Sequence, residues 1–404
     1  MINTIYDIAF LIAIALILAR IFGFLFSKIN FPVVIGEILA GFVLGGLGVF
    51  IFTGDIIPLF GTSVNIPCLD YLSFEFDFLA EIGVLFLMFI SGLSTNISQL
   101  KTMGKTSTYV AFGGIIVPLF LGIIISLLFG YNNSDSIVIG LILIATSVGI
   151  TVRTLMDLHM LDTKAGTTIL GGAVIDDVLG IILLSFVVGT DPILYIGIKV
   201  IFFFIIFLYF GLKVIDKLLT LSEKINLPKA FLSISLSIFL LYSFFADRFG
   251  ISGVIGAFIA GLLIGHSIKS RKIIDDVQAL GYGFFVPLFF IWVGARLFIG
   301  IITDVTSLIE IGIFSILIVF VGIVGKIIGC GIGSHLAGMT KKESLQVGIG
   351  MIPRMELALI IVSAAIANNF LSSAKVENQF LAITVILTIV TTLITPFLIK
   401  RVFR

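Results

Sequence analysis

The chain has 404 residues, 59% of them apolar and 12% charged, whereas charged residues make up about 25% of a soluble protein. Its 24 Lys and Arg nearly balance 23 Asp and Glu, and it carries 42 Gly, 40 Phe and a single Trp. These figures exclude a soluble enzyme, a nucleic-acid binder and a disordered scaffold; they imply an all-α polytopic membrane protein whose spans are about 20 apolar residues each.

Apolar runs separated by short polar turns predict thirteen spans. In chain order they cover 4–26, 31–50, 76–98, 104–129, 135–159, 163–189, 191–219, 226–249, 251–269, 274–299, 304–337, 341–368 and 376–401. Residues 51–75 read as the one long loop. The first run has no basic lead and no small-residue cleavage site, and Asp7 precedes its apolar stretch, so a retained span is expected in place of a signal peptide. No soluble regulatory domain is expected after Arg404. Cys68 and Cys330 are too far apart for a metal or redox spacing and read as structural.

The few charges carry orientation. Arg248, Arg296 and Lys375 fall on one side of the spans, and Lys199, Lys326 and Arg354 fall inside them. The remaining eighteen of the 24 basic residues fall on the other side, including the Lys269, Arg271 and Lys272 loop. By the positive-inside rule, that places the amino terminus outside and the carboxyl terminus in the cytoplasm of a multi-pass protein of the cell membrane. His159, His266 and His335 map towards cytoplasmic ends, and Glu37, Glu81 and Glu310 lie nearer span ends, where hydration or packing is the default reading.

The run Val34-Ile35-Gly36-Glu37-Ile38-Leu39-Ala40-Gly41-Phe42-Val43-Leu44-Gly45 matches Val254–Gly265 at six of twelve positions. Small residues recur wherever membrane helices pack closely. Here, however, each run opens a unit of five spans (2–6 and 9–13), and the two units start on opposite sides of the membrane. Two inverted five-helix repeats are a secondary-transporter architecture.

Ionisable groups deep in hydrocarbon cost about 2.5–3.5 kcal/mol each on insertion scales and usually mark a site. Span 6 centres on Asp176-Asp177. Adjacent helical residues diverge by about 100°, so one can face a protein partner and the other a cavity. Lys326, past the middle of span 11, is the natural partner for a carboxylate; at 4 Å the pair gains about 4 kcal/mol at an effective dielectric of 20. Span 5 carries a polar break at Thr146, Ser147 and Thr151, and span 12 carries Pro353-Arg354-Met355-Glu356. Both are the fourth span of their unit. Pro removes a backbone donor, and unwound segments offer carbonyls and half-helix ends to ions. Arg354 and Glu356 either satisfy one another, stabilise the break structurally, or contact ions directly.

The Gly36–Gly41 run, Asp176-Asp177, Pro287-Leu288-Phe289-Phe290, Lys326 and Pro353-Arg354-Met355-Glu356 together resemble the monovalent cation:proton antiporter-2 family, most closely its NapA-type Na+/H+ antiporters. The likeness runs through nearly the whole chain in family order; Met355 departs from the usual Pro-Arg-Gly-Glu. The resemblance implies an NhaA/NapA-like fold in which the broken spans 5 and 12 cross. It also implies a homodimer working by an elevator form of alternating access. Its dimerisation domain would comprise 1–99 and 225–300, its core transport domain 100–190 and 301–404, and its linker helix 191–224. By the same resemblance Asp177 binds Na+ or protons, and Asp176 pairs with Lys326 and releases it when sodium arrives. The polar contacts Thr146, Ser147, Thr151, Pro353, Arg354 and Glu356 would lie beside them.

The expected function is electrogenic Na+(Li+)/H+ antiport, a secondary transport and not an enzymatic reaction, needing no cofactor, structural metal or nucleic acid. A K+/H+ exchanger of the same family is the nearest alternative. A cation channel would need a continuous pore, and an intramembrane aspartyl protease would place its two aspartates on different helices.

Overall fold

Inside a bilayer every backbone polar group must be satisfied by the chain itself, so long apolar runs fold as helices. A computed structural model describes residues 5–29, 31–50, 56–59, 62–65, 74–95, 97–188, 193–224, 227–267, 273–303 and 305–403, and structural statements refer to these. Cys68, Lys269, Arg271, Lys272 and Arg404 lie outside the described residues, as do the side chains of Lys224, Glu310 and Glu356.

Each of the thirteen segments coincides with one helix or with an interrupted pair. The first helices are α1 (Ile5–Lys28) and α2 (Val33–Phe50). Within the stretch read as a loop, β1 (Ile56–Leu59) pairs antiparallel with β2 (Thr62–Asn65), with Ile56 opposite Asn65. The β-branched residues Ile56, Ile57, Thr62 and Val64 suit extended backbone, and this hairpin corrects the plain-loop reading. Next come α3 (Phe74–Ser94) and α4 (Ile97–Leu128), which starts seven residues earlier than its apolar run, taking in Ile97 to Met103. Span 5 is α5 (Asn133–Ile144) and α6 (Val148–Asp157). Then follow α7 (Lys164–Val188), α8 (Ile193–Lys224), α9 (Ala230–Arg248) and α10 (Gly253–His266). Span 10 is α11 (Ile274–Leu280), a π-helical turn over Gly281–Phe285, and α12 (Val286–Thr303). Beyond them lie α13 (Val305–Leu336), the pair α14 (Lys341–Gly350) and α15 (Glu356–Ala367), and α16 (Ala374–Val402). Ten described helices are long and apolar enough to cross a membrane, and three shorter apolar ones lie at Val33–Leu47, Gly253–His266 and Leu357–Ile366.

Two compact units divide the chain. One comprises Met1–Leu87 and Asp276–Thr303; its core joins Leu11, Ala15 and Ala19 of α1 to Ala40 and Leu44 of α2, Phe76 of α3, and Leu288 and Ile291 of α12. The other comprises Met88–Asp275 and Asp304–Arg404. There Ile139 and Ile142 of α5 pack with Ile318 of α13, Ile361 and Val362 of α15, and Phe380 and Leu387 of α16.

Lipid tails are as apolar as Leu, so helices in a membrane associate by close packing of small residues. A Cβ on Gly41 of α2 would strike the carbonyl of Ile291 on α12, and one on Gly294 of α12 would strike that of Ile38 on α2. The repeat copy does the same within the other unit: Gly261 of α10 meets Phe89 of α3, and Gly92 of α3 meets Phe258 of α10. In both cases the carbonyl struck lies three residues before the facing glycine. The sequence likeness therefore extends to equivalent helix contacts.

Candidate functional site

The site lies within the second unit, where two helices are interrupted. Helix α5 stops at Ile144, and Ala145-Thr146-Ser147 runs extended before α6 resumes, with Ser147 at φ −106° and ψ 109°. Helix α14 stops at Gly350, and residues 351–355 are non-helical up to Glu356. Pro353 cannot continue an i to i−4 ladder. Met355 occupies this second break at φ −152° and is buried, so a side chain fits where a glycine's left-handed freedom is not used.

The two breaks cross. Ser147 N–H donates to the Pro353 carbonyl at 2.7 Å, and Thr151 Oγ1 donates to the Gly350 carbonyl at 2.7 Å. Arg354, fully buried, donates from its guanidinium to the carbonyls of Leu143 and Gly322, both at 2.8 Å, and to that of Ile352. The last carbonyls of a helix have no partner within it and carry a partial negative charge. Each interrupted C-terminus thus receives a donor from the opposite broken helix, a guanidinium on α5 and a hydroxyl on α14. Arg354 also ties α13 to the crossing through Gly322.

Beside the crossing, Asp176 of α7 is 2% exposed and Lys326 of α13 is fully buried. Lys326 Nζ lies 3.0 Å from Asp176 Oδ2, and Thr146 Oγ1 donates to the same oxygen at 2.5 Å. Asp176 Oδ1 has no hydrogen-bond partner among the described residues. A buried carboxylate with one satisfied oxygen retains an acceptor for a proton or a metal cation. Asp177, about 100° further around α7, is half-buried. The backbones of Thr146, Ser147, Pro353 and Arg354 are therefore brought together, with Asp176 and Lys326 joined to them through Thr146. Glu356 opens α15, its side chain lying outside the described residues.

Two contributors escape a reading of the sequence. Thr391 of α16 accepts the backbone N–H of Arg354 at 3.2 Å. The buried series Thr384, Thr388, Thr391, Thr392 and Thr395 follows a helical period along one face, a pattern that could have marked α16 as facing a polar neighbour. Gly114 of α4 is the other: a Cβ there would lie 2.6 Å from Cys330 Sγ and 3.3 Å from Lys326 Nζ, so its missing side chain leaves room for the buried ammonium. The Gly113-Gly114 pair within an apolar span was the available signal. Glu37, read as packing or hydrated, is fully buried.

Residues 12–404 match the family described as sodium/hydrogen exchanger, transmembrane. The chain is 35% identical to the probable Na+/H+ antiporter GerT of Bacillus cereus, covering 98% of this chain and 99% of that one. It is 33% identical to a Na+/H+ antiporter of Enterococcus hirae, covering 96% of each, and 32% identical to the Na+/H+-K+ antiporter GerN of Bacillus cereus, covering 98% and 97%. Among solved structures it resembles the sodium proton antiporter MjNhaP1 of Methanocaldococcus jannaschii, with a TM-score of 0.67 over 99% of this chain and 98% of that one at 16% identity. That likeness concerns the fold.

Proposed function

This multi-pass membrane protein belongs to the sodium/hydrogen exchanger family, and on that premise we propose that it exchanges Na+, and Li+, for protons across the cell membrane as a secondary antiporter. The observation that carries the reading is the buried Asp176–Lys326 pair beside two crossing helix breaks, next to the half-buried Asp177. Asp177 is the group that holds either a proton or the cation. Asp176 exchanges Lys326 for part of the cation's coordination, and Thr146 supplies an oxygen beside it. Only loaded forms cross, so the two ions compete for one set of carboxylates and their movements are coupled.

The two-aspartate site supports electrogenic exchange, with more than one proton per sodium. The matched glycine contacts of α2 with α12 and of α10 with α3 support inverted repeats, the symmetry that alternating access uses. In this reading 1–99 and 225–300 form the dimerisation domain of a homodimer. Residues 100–190 and 301–404 form the moving core, and 191–224 link them. The amino terminus is outside and the carboxyl terminus cytoplasmic.

The test is dissipation of a preset pH gradient in proteoliposomes on adding Na+, Li+ or K+. Na+ and Li+ discharge the gradient with the natural chain, and Asp177→Asn abolishes the discharge; normal exchange by that variant would refute the site assignment. The name of GerN includes K+, which keeps K+/H+ exchange as the second reading: discharge by K+ alone establishes it in place of the first.

A further inference from the structure

The α4–α13 contact also forms a groove of about 460 Å3 on the surface of the second unit, lined by none of the ion-site residues. Its floor is backbone: a Cβ on Gly113 would strike the Gly329 carbonyl, and one on Gly333 would strike the Tyr109 carbonyl. Its walls include Phe112 and Ile116 of α4 and Ile332 and Leu336 of α13, all exposed. The α4 lining runs from Thr108 to Val117, about 14 Å at a rise of about 1.5 Å per residue. That is close to half of a hydrocarbon core about 30 Å thick, the depth of one leaflet.

At the end of α4 nearest Thr108, Lys101 and Lys105 are exposed. They precede Thr108, Tyr109, Phe112 and Ile116 at helical spacings of three or four, so the basic pair and the α4 wall share one face. A largely apolar cleft with paired cations at one mouth is complementary to an acyl chain carrying a negative headgroup, and basic pockets between membrane helices are recognised by such lipids. We propose that this groove binds an anionic phospholipid, one acyl chain lying over Gly113, Gly329 and Gly333 and its phosphate on Lys101 and Lys105. The site is separate from the ion site and does not depend on the antiport reading.

The experiment is native mass spectrometry of the purified full chain with phosphatidylglycerol and phosphatidylcholine of identical acyl chains. The natural chain retains phosphatidylglycerol in preference. Lys101→Gln combined with Lys105→Gln weakens its retention by roughly tenfold or more and removes the preference. Ile332→Trp, which fills the cleft, reduces retention of both lipids. Melting of each variant in detergent without added lipid verifies folding; should a variant not fold, a photoactivatable acyl phosphatidylglycerol on the natural chain labels peptides of α4 and α13 instead. Equal retention of the two lipids by the natural chain overturns the proposal, as does unchanged retention in both folded variants or labelling confined to other helices. A disulfide-linked dimer through Ile332→Cys in membranes also overturns it, because a second copy would then cover the groove.

Discussion

At the level of single residues, the buried ion pair sets the strongest expectations. Asp176 and Lys326 are stripped of water, and Thr146 and Lys326 share one carboxylate oxygen. Removing one partner of a buried pair leaves an uncompensated charge and costs about 3–5 kcal/mol. Lys326→Ala therefore lowers the melting temperature in detergent, and adding Asp176→Asn to it recovers part of that loss; an unchanged melting temperature for the single variant would rule out a stabilising pair. Gly114→Val should act on the same pair from across the helix interface, displacing Lys326 and Cys330. Its readout is a shift in apparent Na+ affinity that Gly104→Val does not share, since a Cβ at Gly104 meets nothing within 4 Å. The Asp176–Lys326 pairing was legible because charge inside hydrocarbon is rare. Gly114 and Thr391 were not, because glycine and threonine are ordinary in membrane helices and acquire meaning only from what lies opposite.

Among the elements, the interruptions of spans 5 and 12 were readable from Thr146-Ser147 and Pro353, polar or donor-free positions in otherwise apolar runs. What holds them was not. Nothing in the sequence says that Arg354 reaches the Leu143 carbonyl 211 positions away, or Thr151 the Gly350 carbonyl. Likewise Gly281–Phe285 reads as ordinary apolar helix, yet forms a π turn, a local insertion that hydrophobic periodicity does not register. The two half-helix ends make unequal demands on their donors. Thr151→Val keeps the shape and removes a hydroxyl from a buried carbonyl, costing about 1–3 kcal/mol. Arg354→Gln removes a charge-assisted donor serving three segments and should cost more. Thermal melting of both variants gives the order, and a larger loss for Thr151→Val would contradict the assigned geometry.

For the whole molecule, scarcity of charge is what made the sequence informative. Most basic residues fall to one side, leaving a small set inside. The expected orientation rests on that sorting alone, whereas the division into Met1–Leu87 with Asp276–Thr303 and the remainder depends on contacts between segments far apart in the chain. Repeat similarity of six positions in twelve hinted at such contacts without naming the partner helices. Two-carboxylate exchange predicts a response at this scale: in proteoliposomes an imposed membrane potential, with no pH gradient, drives Na+ uptake or release according to its sign. Exchange indifferent to the potential would exclude an electrogenic cycle.

The matched glycines have a practical corollary. Because Gly41 faces Ile291 as Gly261 faces Phe89, a perturbation of either glycine contact has a counterpart elsewhere in the same chain. Gly41→Ala and Gly261→Ala are thus a natural pair of experiments on one geometry in two settings. Equal losses of stability would mean that the two copies still bear equal mechanical duty. Unequal losses would mean that the two copies of one contact have come to carry different shares of the fold's stability.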